Sequence, residues 1–156
     1  MFWNLGPGGF REVASAVGAA FATPKVGRGA AYADIDNDGD LDVLLTSNNG
    51  EAHLYRNDLT VPNKSLRLTL VGTASNRDAI GAVVYFEAGD LRGSRMVKTG
   101  SSYLSQSERT LTLGLGTRPR VDRLIVQWPS GRREQYRGLQ AGSNVQLVEG
   151  KGEAVR

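Results

Sequence analysis

The sequence predicts an all-β protein. Three observations lead there: apolar and polar residues alternate at a period of two through the second half, 20 glycines and 5 prolines in 156 residues supply many turns, and no segment beyond residue 63 has a convincing helical period. In "LRLTLVG" the alternation places Leu66, Leu68 and Leu70 on one face; in "TLTLGLG" it does so with Leu111, Leu113 and Leu115, and in "DRLIVQW" with Leu124, Val126 and Trp128. "PSG" after Trp128 is a turn signal, and "GSNVQLVEG" adds a last strand with Val145 and Leu147 inward. An antiparallel β-sandwich or a partly open barrel is the expected form of this half.

The first half is organised around "DIDNDGDLD", Asp34 to Asp42, which holds five aspartates on alternate positions in a chain of formal net charge +3. Carboxylates so close together repel unless a cation joins them. Asp34, Asp36, Asp38 and Asp42 occupy loop positions 1, 3, 5 and 9 of a calcium-type loop, with the Asp40 carbonyl at position 7 and Gly39 at position 6 for the sharp turn. The donors are all oxygens, whereas zinc favours Cys and His, and magnesium rarely receives an all-protein cage. Calcium is therefore the expected ion, with Asp34, Asp36, Asp38, Asp40 and Asp42 as the metal-site residues. An EF-hand is excluded, because its closing Glu at position 12 falls on Leu45 and the flanks "GRGAAYA" and "VLLTSNNG" suggest short buried strands rather than helices. The competing reading is a cluster of Asx turns in which the aspartates cap their own backbone.

With those residues in view, "GRGAAYADIDNDGDLDVLLTSNNGEAHLYRND", Gly27 to Asp58, resembles an FG-GAP or VCBS repeat, the calcium-loop blade unit of integrin-type β-propellers. The resemblance implies a four-stranded blade with the loop rigidifying one edge. An internal echo, Phe2 and Asn4 against Tyr55 and Asn57, looks like the tail of one repeat followed by a whole one. A single repeat cannot bury its apolar face alone, so the chain is expected to be part of a longer protein; the alternative is that the single blade packs on its neighbour downstream. The second half resembles an ASPIC/UnbV domain, as found after FG-GAP-like repeats in secreted proteins related to cartilage acidic protein. It is carried by "SNRDAIGAVV" (Ser75 to Val84), "GSSYLSQSERTLTLGLG" (Gly100 to Gly116) and "VDRLIVQWPSG" (Val121 to Gly131). The expectation is one FG-GAP/VCBS-type propeller-blade unit over 1–62, followed by an ASPIC/UnbV-like β domain over 63–156.

Charge divides at the same place. Residues 1–62 carry four Lys and Arg against eight Asp and Glu, and 63–156 carry fifteen against eight. Pro62 and Asn63, within "LTVPNKS", also interrupt the apolar pattern there. The absence of cysteine removes disulfides, thiol catalysis and zinc-thiolate sites. No basic segment followed by an apolar run marks a signal peptide in this sequence, and no stretch reads as a membrane span.

Catalysis finds little support in these residues. His53 is the lone histidine and sits in a strand pattern, Ser101, Ser102, Ser105 and Ser107 lack an identifiable base, and Glu87 with Asp90 is a carboxylate pair of a kind any acid-containing β protein offers. Arg118, Arg120, Arg123, Arg132, Arg133 and Arg137 could neutralise phosphates. They alternate with apolar residues, however, and Trp128 shares the inward parity instead of joining them. Nucleic acid is thus not the expected partner, and an anionic polysaccharide or acidic surface fits better. "SNRDAIG" reads as an Asx-type turn with Arg77 against Asp78 or backbone. The loop from Tyr103 to Gln106 either lines a sugar site or packs a corner. The expected function is a non-enzymatic, calcium-binding, secreted or periplasmic module for adhesion or recognition, with an unknown protein or glycan ligand. The alternatives are a carbohydrate-binding module and an accessory protein of a biosynthetic pathway.

Overall fold

A computed structural model describes residues 1–58 and 62–155. The chain opens with a two-stranded antiparallel ribbon, β1 (Phe2–Asn4) and β2 (Phe10–Glu12), then two single-turn helices, α1 (Ala14–Val17) and α2 (Ala19–Ala22). Three antiparallel strands follow in sequential order: β3 (Gly27–Ala33), β4 (Asp42–Ser47) and β5 (His53–Tyr55). Phe21 of α2 stacks on Tyr55 at 4.6 Å and ties the helical turns to this sheet. Both segments of the internal echo are strands, since Phe2 lies in β1 and Tyr55 in β5. Of the stretch 59–65 in which the boundary is expected, residues 59–61 lie outside the described residues.

The remaining strands are β6 (Lys64–Val71), β7 (Val83–Ala88), β8 (Leu91–Met96), β9 (Leu111–Gly116), β10 (Arg120–Gln127), β11 (Arg133–Gln140), β12 (Asn144–Val148) and β13 (Glu153–Ala154). They form a five-stranded sheet in the order β13-β11-β10-β7-β8 and a three-stranded sheet in the order β12-β6-β9, neither closed into a barrel. The pairings are antiparallel apart from β12 with β6, which run parallel. The two sheets face one another across a single apolar core. Leu66, Leu68, Leu70, Leu111, Leu113, Leu115 and Leu147 enter it from the smaller sheet, and Val84, Phe86, Leu124 and Val126 from the larger. Trp128 is buried with them. The leucine and valine alternation thus points where period two sends it, and the sandwich is the form realised.

Residues 1–58 are built differently. Their buried members are Gly29, Asp34 and Asp42, a glycine and two carboxylates, so this part has no buried apolar side chain. Strands β3 and β4, expected to be buried, are half exposed, with Tyr32 and Leu44 facing outward. The sheet also has three strands instead of the four implied for a blade. The outer edge of β3 is occupied by an irregular segment of the second half. Ala30 N donates to Ser102 Oγ at 3.0 Å, Tyr32 N to Ser107 Oγ at 3.1 Å, and Glu108 N to the Tyr32 carbonyl at 3.0 Å. With those edge donors met by hydroxyls, the edge needs no fourth strand. The approach is close: a Cβ on Gly29 would lie 2.6 Å from the Tyr103 carbonyl oxygen.

Candidate metal loop and its setting

The acidic loop is the β3–β4 connection. Antiparallel pairing places Ala33 opposite Asp42, so Asp34 leaves one strand next to the point where Asp42 enters the other. Asp34 Oδ1 accepts from Asp38 N at 3.1 Å, and Oδ2 accepts from Gly39 N at 2.9 Å, winding the chain around the first carboxylate. Gly39 has φ +97°, a value suited to glycine. Asp42 closes the loop by accepting from Ile35 N at 2.9 Å and from Asn57 N at 2.8 Å, which fastens the segment after β5 as well.

Carboxylate oxygens of Asp34, Asp36 and Asp42 lie within 4.8 Å of one another. Ligands of one calcium, each roughly 2.3 to 2.6 Å from the ion, lie at most about 5 Å apart. The donor set and spacing therefore fit a hard divalent cation. Asp38 and Asp40 do not join the trio. Asp38 Oδ1 accepts from Asp40 N at 2.9 Å, an Asx turn of the competing kind, and the Asp40 carboxyl is raised from its ordinary value by burial and then by repulsion from Asp38, Asp34, Asp42 and Asp36.

The loop rests on the sandwich. Ser65 Oγ donates to the Gly39 carbonyl at 2.8 Å. Arg67, from β6, reaches under the loop with its guanidinium: Nη1 forms an ion pair with Asp34, and Nη2 donates to Glu108 Oε2 at 2.7 Å. Arg67 is 8% exposed although it stands between Leu66 and Leu68 in an alternating strand. Period two assigns it to solvent, but the loop covers that face. Arg67, Glu108 and Ser65 are site residues that motif reading misses; an arginine flanked by core leucines is the only local sign.

Other singled-out residues have structural partners. His53 stacks against Tyr55 at 6.2 Å. Arg28 lies 4.3 Å from the centre of the Tyr103 ring, so the Tyr103 to Gln106 loop packs against β3, and Leu104 is held at φ +46°. Asn76 makes the Asx-type turn by accepting from Ile80 N at 2.8 Å, while Asp78 pairs with Arg109 at 3.1 Å rather than with Arg77. Arg118 bonds Asp90, Arg120 bonds Asp122, Arg123 bonds Gln135, and Arg132 meets Glu134. Such pairing is a poor basis for a phosphate-binding surface.

Two buried glutamates organise the far end of the sandwich. Glu149 accepts from the N–H groups of Thr73, Ala74 and Ser75 and from the Ser75 and Ser130 hydroxyls. Glu134 accepts from Trp128 Nε1 at 2.9 Å, Gly150 N at 2.8 Å and the Tyr136 hydroxyl at 3.1 Å. These bonds join the "WPSG" turn, the 72–75 loop and the end of β12, and they account for most of what those sequence motifs hold in common.

The signature of the ASPIC and UnbV family matches residues 72–154, more than half of the chain. The chain belongs to this family. An FG-GAP-like repeat signature matches residues 1–45, which take in the ribbon, β3, the acidic loop and the start of β4. The ASPIC/UnbV domain therefore follows an FG-GAP-like repeat, and modules of both kinds are typical of extracellular proteins. No curated protein matches the sequence significantly. Among the described residues no helix is long and apolar enough to cross a membrane.

Proposed function

We propose that this ASPIC/UnbV chain is a calcium-stabilised, non-enzymatic recognition or adhesion module that works outside the cytoplasm, with its FG-GAP-like unit (1–62) held in shape by one ion and its sandwich (63–156) folding on its own core. The observation that carries the reading is the meeting of Asp34, Asp36 and Asp42. In a unit whose described residues include no buried apolar side chain, a cation there offsets the repulsion of five aspartates. The ion's role is structural: it supplies charge neutralisation and cross-linking. The groups that invite a catalytic reading are engaged in packing, with Ser102 and Ser107 on the edge of β3 and Ser105 Oγ donating to the Tyr103 carbonyl.

Without a bidentate closing Glu, the affinity belongs to the weak extracellular class, roughly 10⁻⁴ to 10⁻³ M, and at millimolar calcium the ion adds about 1 kcal/mol. Calorimetric titration with calcium, magnesium and zinc tests the assignment, with one weak calcium site per chain expected. No heat with calcium, or an equal response to zinc, overturns it.

A glycan-binding reading draws on a different feature from the one expected at Tyr103. A cleft of about 430 Å³ between the two units is lined by Tyr32, Arg95, Lys98 and Arg109. Arg109 is paired with Asp78 and Glu108 also lines the cleft, so the aromatic face beside Arg95 and Lys98 is what suits an acidic saccharide. Oligo-uronates should bind in a salt-sensitive manner while neutral oligosaccharides do not, and equal indifference to both would discard this reading.

A further inference from the structure

We propose that Arg67 is a built-in counter-charge of the acidic loop, an alternative to calcium at Asp34, through which the sandwich sets how tightly the FG-GAP-like unit holds its ion. This rests on the calcium reading above and adds a residue that lies outside both family matches, which cover 1–45 and 72–154.

The argument begins with burial. The Asp34 side chain is fully enclosed, and burying an unpaired carboxylate costs several kcal/mol. Its two oxygens accept from Asp38 N and Gly39 N, but these amides carry no net charge. Arg67 is the buried cation at this carboxylate; Arg56, 4.0 Å from Asp36, and Lys64, which shares a cleft with Asp38 and Asp40, are both exposed. The guanidinium is fixed from behind by Glu108, which itself ends the segment that lines the edge of β3. Arg67 is therefore held at the loop by the sandwich and does not depend on an ion to be there.

Two consequences follow from one charge. Without calcium, Arg67 offsets part of the repulsion and keeps the first carboxylate oriented. With calcium, the same positive charge opposes a divalent ion across a single enclosed carboxylate, which even at the dielectric of water weakens binding by at least about a factor of ten. Arg67 thus trades ion affinity for a loop that keeps part of its order, at Asp34, when the ion leaves.

The test compares the parent chain with Arg67→Met, which keeps side-chain length, and Arg67→Lys, which keeps charge. Calorimetry and thermal melts are run with calcium and with chelator. Arg67→Met should bind calcium at least about tenfold tighter, melt lower than the parent in chelator, and recover most of that deficit at saturating calcium. Arg67→Lys should stay close to the parent in affinity. If the parent binds calcium but Arg67→Met binds no tighter, or its melting deficit persists undiminished at saturation, the counter-charge role is wrong while the calcium site stands. If the parent itself gives no heat with calcium, the calcium reading falls and this inference with it.

Discussion

Glu149 and Ser75 are joined twice, the backbone N–H of Ser75 donating to Oε2 at 2.8 Å and its hydroxyl to Oε1 at 3.0 Å. Burial alone would raise the Glu149 carboxyl, but the bonds from Ser130, Ser75 and Thr73 outweigh it and hold the group at about 2, against 4.5 in an open chain. Because the folded value is depressed, its stabilisation is complete above about 4.5 and disappears as the pH falls towards about 2. Glu149→Gln should cost on the order of 2 kcal/mol at pH 7 once solvent screening is allowed for, and the gap to the parent should close across that window. Urea denaturation between pH 7 and pH 2.5 reads it, and parallel curves would remove Glu149 from the account.

Glu134 offers a second test, read at a neighbour. Burial, followed by the Glu134 charge, raises the Tyr136 hydroxyl above its ordinary value of 10.0. Glu134→Gln should lower it, since a negative charge disfavouring phenolate is gone, and ultraviolet titration of tyrosine will show the shift. Glu134→Leu strips an acceptor from Trp128, Tyr136 and Gly150 together and should cost about 3 kcal/mol or more. A loss under 1 kcal/mol in that variant would mean the three donors find other acceptors.

Within the acidic trio Asp36 and Asp42 should separate by phenotype. Asp36 is exposed and accepts no backbone donor among the described bonds, so Asp36→Ala should abolish the calcium-dependent rise in melting temperature with little change in chelator. Asp42 accepts from Ile35 N and Asn57 N, so Asp42→Ala should lose the calcium response and also fall by about 1 to 3 kcal/mol without the ion. Thermal melts of both variants decide the matter, and an Asp36→Ala protein that still responds fully to calcium would contradict the assignment.

At the contact between the units, Gly29→Ala places a methyl against the Tyr103 carbonyl oxygen, 2.6 Å away, and backbone cannot yield there without lifting the 102–108 segment. Amide exchange of Ala30 and Tyr32 should accelerate while the sandwich core keeps its protection. Ser107→Ala removes a single acceptor and should be milder, about 1 kcal/mol. Uniform acceleration across both units would instead indicate one cooperative body.

Much of the sandwich was legible because its strands advertise themselves: Leu66, Leu68, Leu113, Leu115, Leu124 and Val126 alternate, and each is fully buried. β11 did not, because its inward positions opposite Val126 and Leu124 are Glu134 and Tyr136, while Gln135 is buried on the opposite face against Arg123 and Glu153, and the burial of these polar groups depends on hydrogen-bond partners from other segments. The acidic loop was legible as a local pattern, and the convergence of Asp34, Asp36 and Asp42 follows from it. That Asp38 turns to its own backbone, and that Arg67 lies beneath the loop, depends on how two units dock. Period-two reasoning assigns one face of β6 to the core and the other to solvent. It has no means of knowing that a neighbouring unit takes the solvent face.

The position of β6 between β9 and β12 bears on how the chain reaches this state. β6 is the earliest strand of the sandwich to be made, yet its parallel partner is nearly the last, with Leu68 registered against Val145. Such a pairing cannot close until almost the whole domain has left the ribosome, and its high sequence separation slows folding relative to the local β7–β8 and β10–β11 hairpins. Until then Leu66 and Leu68 have a partner strand on one side only, β9, and Arg67 has Glu108 before its own strand is closed on the other side. The FG-GAP-like unit is synthesised first, and the strand that supports its loop is among the last to be locked in place.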